Sequence, residues 1–414
     1  MGIYIPYMRL IAKDDKKLQK IFDNDIDVKG LMLDIRRLLS ARTTYIRSVI
    51  ELLEKNPSSI LLVDPRTDSF QVDSSVRQIF PTLKRIYKLI GIKENEVSND
   101  EIFTPMNIST KIERLTDKVF EVSKIHIVDR TINPTYFIPP YFVSSSIDAW
   151  YSLTLRAINY AIDKYDHPIL APIAVDVSFL SNGENIRQAL SDYSQMNVDG
   201  YLILPYDLDE YRSPYGILHN LASLVIGLKR SGKKVFVHSA EFGTVLLSLG
   251  VDAIISGMCI RRTPRKPSLI EGISEIGQVE VHVYTYKLFN KLIHYKFVML
   301  LQLFPEIYQC ECPLCKYYKD ENYLSLPEES DYDDLSLHYV YWKNIEAKEY
   351  SNNSKKLIND LEGAKEIIEQ YNEKVAGKYF FSKNKQYEYK IYSNYIDKWL
   401  RILETFGQRD SINL

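Results

Sequence analysis

Short apolar runs rich in Ile, Val, Phe and Tyr recur along the chain, at 3–10, 60–64, 136–143, 172–177, 200–205, 234–239, 253–258 and 279–285. Between most of them, apolar residues return at three- and four-residue spacing, which predicts helices. These stretches are Ile26–Lys55, Asp148–Tyr165, Asn185–Met196, Pro214–Ser231 and Glu241–Gly250. Strands that are apolar almost throughout, alternating with helices, indicate a parallel sheet covered on both faces. Eight such runs favour a closed (β/α)8 TIM barrel, an α/β fold, with an open doubly wound sheet as the rival. Pro6, Pro139, Pro140 and Pro205 weaken individual strands, because proline cannot donate to a ladder.

Residues 81–124 read as an insertion between the second and third runs. After Thr285 the pattern changes. Leu288–Leu303 reads as an apolar helix, a cysteine cluster follows, and an acidic loop spans Glu328–Asp334. Two amphipathic helices are predicted at Ser354–Val375 and Gln386–Phe406; Leu357, Leu361, Ala364, Ile367, Ile368 and Tyr371 form the apolar stripe of the first. The expected organisation is a barrel over 1–303, a metal-binding subdomain over 304–345 and a helical segment over 346–414. No internal repeat of fixed period is evident.

Composition adds little to this picture. The 414 residues are 45% hydrophobic and 26% charged, as in ordinary globular proteins. The formal net charge of -2 means that any nucleic-acid contact needs a local basic patch. No run is long enough to span a membrane and the first residues lack a signal-peptide pattern, so a cytoplasmic location and no membrane partner are expected. Of 31 tyrosines, most have the bland explanation of half-buried packing.

The four cysteines are distributed unevenly. Cys310, Cys312 and Cys315 lie within six residues, Cys259 stands alone, and His338 follows the cluster. Three thiolates and an imidazole satisfy four-coordinate tetrahedral zinc. With all positions filled by protein, the role is structural. Buried free thiols are the competing explanation, and His294 is an alternative fourth ligand.

The Cys310–Cys312–Cys315…His338 pattern, the lead-in at 304–318, and the stretches Val198–Ile203 and Leu249–Ile255 resemble the tRNA-guanine transglycosylase superfamily. The resemblance covers roughly residues 55–340. It implies a (β/α)8 barrel with a Cys3His zinc site and chemistry at a base–sugar bond of nucleic acid. The departures are specific. The family's "DSGGF" turn corresponds to Asp64-Pro65-Arg66-Thr67-Asp68-Ser69-Phe70, so Asp64 is the first choice for the matching carboxylate and Asp68 the second. The family's nucleophilic Asp corresponds to Ile255, and its "PTR" turn is altered at Cys259–Arg265.

Breaking an N-glycosidic bond builds positive charge on the sugar and negative charge on the departing base, so carboxylates and proton donors are needed together. In a barrel these belong at the C-terminal strand ends. Asp64, Asp176, Asp68 and His238 are the catalytic candidates. Tyr141, Tyr206, Glu241, Arg261, Arg262 and Arg265 are the substrate-binding ones, the arginines for phosphate and the tyrosines for stacking a flipped base. Helix capping competes as an account of Asp176 and Glu241, and plain packing as an account of His238. Without the nucleophile, the resemblance implies a hydrolytic glycosylase acting on a modified base, with DNA favoured over tRNA and antiphage defence as a setting. Base exchange that inserts a 7-deazaguanine is the alternative. A noncatalytic nucleic-acid-binding zinc barrel is the second alternative. The C-terminal amphipathic helices permit a homodimer.

Overall fold

The computed structural model describes residues 2–8, 20, 21, 23, 24, 26–35, 43–56, 58–71, 104–127, 130–257, 282–305, 310–312, 332–382 and 385–407. In chain order the strands are β1 (Ile3–Met8), β2 (Gly30–Asp34), β3 (Ile60–Asp64), β4 (Ile125–Ile127), β5 (Arg130–Ile132), β6 (Leu170–Asp176), β7 (Gly200–Tyr206), β8 (Lys234–His238), β9 (Ala253–Gly257), β10 (His282–Thr285), β11 (Asn290–Ile293), β12 (Tyr379–Ser382) and β13 (Lys385–Glu388). The α-helices are α1 (Thr43–Lys55), α2 (Pro105–Ser109), α3 (Ile112–Val122), α4 (Ala149–Lys164), α5 (Val177–Ser181), α6 (Gly183–Ser194), α7 (Tyr215–Lys229), α8 (Phe242–Ser248), α9 (His294–Leu303), α10 (Tyr332–Tyr350), α11 (Ser354–Lys374) and α12 (Asn394–Gly407).

Seven strands form one curled parallel sheet in the order β3-β2-β1-β9-β8-β7-β6. The ladder does not close. The run at 136–143, expected as a strand, is instead an extended segment with isolated bridges to β6 at Phe137–Ile169 and Ser144–Val175. Pro139 and Pro140 remove the donors a continuous ladder needs. At its start this segment reaches the other edge strand, where the Thr135 amide donates to the Leu61 carbonyl at 2.8 Å.

Three other expectations change. The stretch Ile26–Lys55 divides into β2 and α1, because the buried run Gly30–Asp34 is too short for periodicity to separate strand from helix. Gly30 fits this position because a Cβ there would lie 2.6 Å from the Ile60 carbonyl oxygen. The run at 279–285 contributes β10, which pairs antiparallel with β11 outside the main sheet. This shortens the predicted helix at 288–303 to α9. The hairpin β12–β13 likewise delays the last helix to Asn394.

Side chains alternate between the two faces of the sheet. The inner face collects Ile5, Tyr7, Met32, Leu62, Leu170, Leu202, Phe236 and Ile255 in one core, with Tyr136, Ile138, Tyr141 and Val143 from the extended segment. The outer face packs against the helices in two larger clusters. α11 and α12 contribute Leu361, Ile368, Tyr395, Trp399 and Leu403 to the first of these. α10 lies against β1 and α8. No helix among the described residues is long and apolar enough to cross a membrane.

Candidate active site and metal centre

The inner core ends in a polar cluster at the C-terminal ends of the strands. β2 and β3 pair with Asp34 opposite Asp64, so two carboxylates end neighbouring strands. Tyr7 near the end of β1, Tyr206 at the end of β7 and Tyr141 on the extended segment converge on the same point. The Tyr141 hydroxyl donates to Asp64 Oδ1 at 2.7 Å, and the Tyr7 hydroxyl to Oδ2 at 2.9 Å. The Arg66 amide also donates to Oδ1, at 3.0 Å. That geometry requires Arg66 to take φ 50°, a left-handed conformation uncommon outside glycine.

The Arg66 side chain forms a two-pronged pair with Asp68, Nε to Oδ1 and Nη2 to Oδ2, each at 3.1 Å. Tyr206 donates to the same Oδ2 at 3.0 Å. Asp34 Oδ2 lies 3.9 Å from Arg66 Nη1. Three carboxylates thus surround one guanidinium in a buried site. The consequence falls on Asp64. Burial raises its pKa, Arg66 opposes this, and the charges of Asp68 and Asp34 raise it again, to about 6. Asp64 therefore titrates near neutrality, as an acid–base group must. Burial and the neighbouring charges hold Tyr141 and Tyr206 well above the ordinary tyrosine range, so both remain neutral donors.

The other sequence candidates have different surroundings. The His238 ring lies 5.3 Å from that of Tyr7, joining the cluster through the tyrosine that holds Asp64. Asp176 caps α5: its Oδ1 accepts from the Ser178 and Phe179 amides at 2.9 and 3.0 Å, and its Oδ2 from Ser145 at 2.6 Å. Glu241 pairs with Lys291 of β11 at 3.2 Å, in a second buried network that faces the C-terminal elements. Ile255, the position of the resembled family's nucleophile, is an aliphatic member of the inner core opposite His238 in the β8–β9 register. Arg261, Arg262, Arg265 and Cys315 lie outside the described residues. The sequence reading missed Tyr7, Asp34 and Arg66. The signal for Asp34 was present, since it ends an apolar run as Asp64 does; the roles of Tyr7 and Arg66 depend on convergence.

The second centre lies behind the sheet. Cys310, Cys312 and His338 are buried, with their ligand atoms all within 4.8 Å of one another. His338 Nδ1 lies 3.6 Å from Cys310 Sγ and 3.2 Å from Cys312 Sγ. A tetrahedral ion bound at roughly 2.3 Å to sulfur and 2.0 Å to nitrogen separates such atoms by roughly 3.5 Å. The surroundings also fit a metal. His338 Nε2 contacts the Tyr284 carbonyl oxygen at 2.7 Å, and a proton on that nitrogen leaves Nδ1 free to ligate. The Trp342 indole donates to Cys310 Sγ at 3.1 Å, which favours the thiolate. Burial presses the His338 pKa down, and the hydrogen bonds and charges of Cys310 and Cys312 raise it to about 10. His338 is therefore the histidine beside the sulfurs, whereas His294 begins α9. This trio can hold a metal ion.

No family model matches this chain, and no curated protein matches it either.

Proposed function

We propose that this protein is a glycosylase of the tRNA-guanine transglycosylase type, cleaving the N-glycosidic bond of a base in nucleic acid, with modified DNA favoured over tRNA. The observation that carries the reading is Asp64: a buried carboxylate at the strand ends, held by Tyr7, Tyr141 and the Arg66 amide, with its pKa lifted to about 6. In this reading the seven strands and the segment 135–144 act as the eight staves of a (β/α)8 barrel. One inner core fed by all eight supports that. Cys310, Cys312 and His338, which together can hold a metal ion, would bind one structural zinc ion, with Cys315 of the sequence pattern as the fourth ligand.

Ionised Asp64 accepts a proton from water as the water oxygen bonds to the sugar C1′. The bond from C1′ to the base nitrogen breaks, and the proton returns to the departing base. The negative charge of Asp64 also stabilises the cationic sugar. Hydrolysis is favoured over base exchange because Ile255 offers no nucleophile where the resembled family has one.

Incubation with modified phage DNA, plain DNA and bulk tRNA tests this, read as alkali-labile abasic sites and released base. The expected rate rises through pH 6 to a plateau, since the ionised form of Asp64 is active. Asp64→Ala abolishes release. Full activity in that variant refutes the assignment, and incorporation of a labelled free base without abasic sites identifies exchange instead.

A further inference from the structure

The ribbon β12–β13 and its exit strand carry a chemistry that the proposed active site does not use. Residues 373–392 contain five lysines and two glutamates in a chain of net charge -2, together with six aromatic residues. The ribbon is two-faced. On one side Phe380 is buried, stacking on Tyr295 of α9 at 5.1 Å and on Tyr387 at 5.4 Å. Along the second strand and its exit, part-buried Tyr387 and Tyr389 and buried Ile391 alternate with exposed Gln386, Glu388, Lys390 and Tyr392. Tyr379 lies opposite Glu388, and the Tyr389 amide extends the pairing to the Lys378 carbonyl at 3.4 Å.

The exposed face therefore presents Tyr379, Lys390 and Tyr392, with Glu388 among them, whereas exposed Lys378 shares the side of Phe380 at the start of the ribbon. Tyr379 and Tyr392 are 48% and 63% exposed, and with Tyr295 they are three of the five exposed large hydrophobic residues among those described. Packing explains Phe380; it does not explain tyrosine rings turned to water. Lys390 Nζ lies 5.7 Å from the centroid of the Tyr392 ring, so cation and ring are adjacent. The ribbon is linked through α12 to the loop after β7. α12, which directly follows it, anchors on the loop after β7: Lys398 donates to the carbonyls of Tyr211 and Ser213 at 2.6 and 2.8 Å. That loop leaves the C-terminal end of β7, where Tyr206 meets Asp68.

We propose that the outer face of β12–β13 and its exit segment binds single-stranded nucleic acid, Lys390 taking a phosphate and Tyr379 and Tyr392 stacking bases. Lysines alone fit any polyanion, but exposed rings beside them fit a strand whose base faces are open, as a duplex's are not. The proposal shares with the proposed function only the class of polymer, and the two fail separately.

The test is fluorescence anisotropy of the full chain with a fluorescein-labelled oligodeoxythymidylate, against an abasic sugar–phosphate chain of equal length and a duplex. The double variant Tyr379→Ala/Tyr392→Ala is expected to weaken oligonucleotide binding about tenfold or more while leaving the abasic chain unaffected. Lys390→Gln is expected to lower the salt slope by about 0.7, the value for one phosphate contact on a single strand. Glu388→Gln removes a like charge facing the phosphates and tightens binding. In an Asp64→Asn background, which lacks base release, the tyrosine and lysine effects on affinity are expected to persist, so loss of one activity does not imply loss of the other. Unchanged affinity in the tyrosine variant overturns the proposal. So does equal binding of the abasic chain, preference for duplex, or no binding at low salt.

Discussion

Asp64 carries a cost that its neighbours only partly offset. Its pKa is raised from 3.8 to about 6, so the folded state holds a proton more tightly than the unfolded chain. The sign follows from linkage: stability is greatest below the unfolded value and is lost as pH rises through the folded one. A shift of roughly two units corresponds to about 3 kcal/mol lost between pH 4 and pH 6. Asp64→Asn keeps the shape and never ionises. We expect that variant to melt at higher temperature than the parent at pH 7.5, with the difference vanishing near pH 4. Thermal unfolding at the two pH values checks this, and an equal shift at both refutes it. A site that gives up stability for a near-neutral carboxylate is what an acid–base role requires. Asp68, by contrast, has both oxygens engaged by Arg66 and serves to hold the guanidinium.

Among the elements, α12 shows how amphipathic pattern becomes stability. Tyr395, Ile396, Trp399, Ile402 and Leu403 are buried on one side, and the Tyr395 hydroxyl donates to the Leu288 carbonyl at 2.6 Å. The Trp399 ring lies 5.9 Å from both Phe242 of α8 and Tyr211 of the loop after β7, tying the last helix to the elements around the sheet. Trp399→Ala removes the largest fully buried side chain of this contact and should cost about 3–5 kcal/mol, measured by urea unfolding. A change below 1 kcal/mol would mean that α12 is not part of the cooperative unit. The pattern of α11 was legible as a stripe from Leu357 to Tyr371. That of α10 was not. Its residues face β1, β10, α8 and α11 at once, so Leu337, Tyr339, Val340 and Ala347 are buried alongside Lys343 and Glu346, and no single apolar face marks it.

At the scale of the whole molecule, α10 is the joint. It carries His338 to the cysteines, and one turn and a half later it carries Lys343 into the interior. There Lys343 Nζ pairs with Glu346 at 2.7 Å and reaches the Tyr284 hydroxyl at 2.9 Å. Glu346 also accepts from Thr244 of α8 at 2.7 Å, so α10, the β10–β11 hairpin and α8 share one network. A metal at the adjacent trio would fasten the 310–312 segment to this joint. Purified protein is expected to contain about one zinc per chain by elemental analysis. Chelation or His338→Ala should lower the melting temperature and loosen 282–305 and 332–350 in hydrogen exchange. Metal-free protein with unchanged protection in those segments would remove the structural role.

The sequence by itself determined the parallel α/β class and the positions of six of the seven sheet strands, and from a four-residue ligand pattern it named the three residues, Cys310, Cys312 and His338, that the fold brings together; it also set Asp64 at a strand end. These features are local: apolar run length, close-spaced cysteines and an acid at a strand end each announce themselves within a few residues. Only the tertiary structure decided that β2 is a strand, that 279–285 leaves the sheet, and that Asp176 caps a helix. It alone assembled Tyr7, Asp34, Arg66, Tyr141 and Tyr206 around Asp64. The reason is that a pKa near 6 arises from burial, from the charges of Arg66, Asp68 and Asp34 and from the Tyr141 hydrogen bond, on three separate stretches of chain, and that burial does not exist until the sheet has curled to bring its strand ends together.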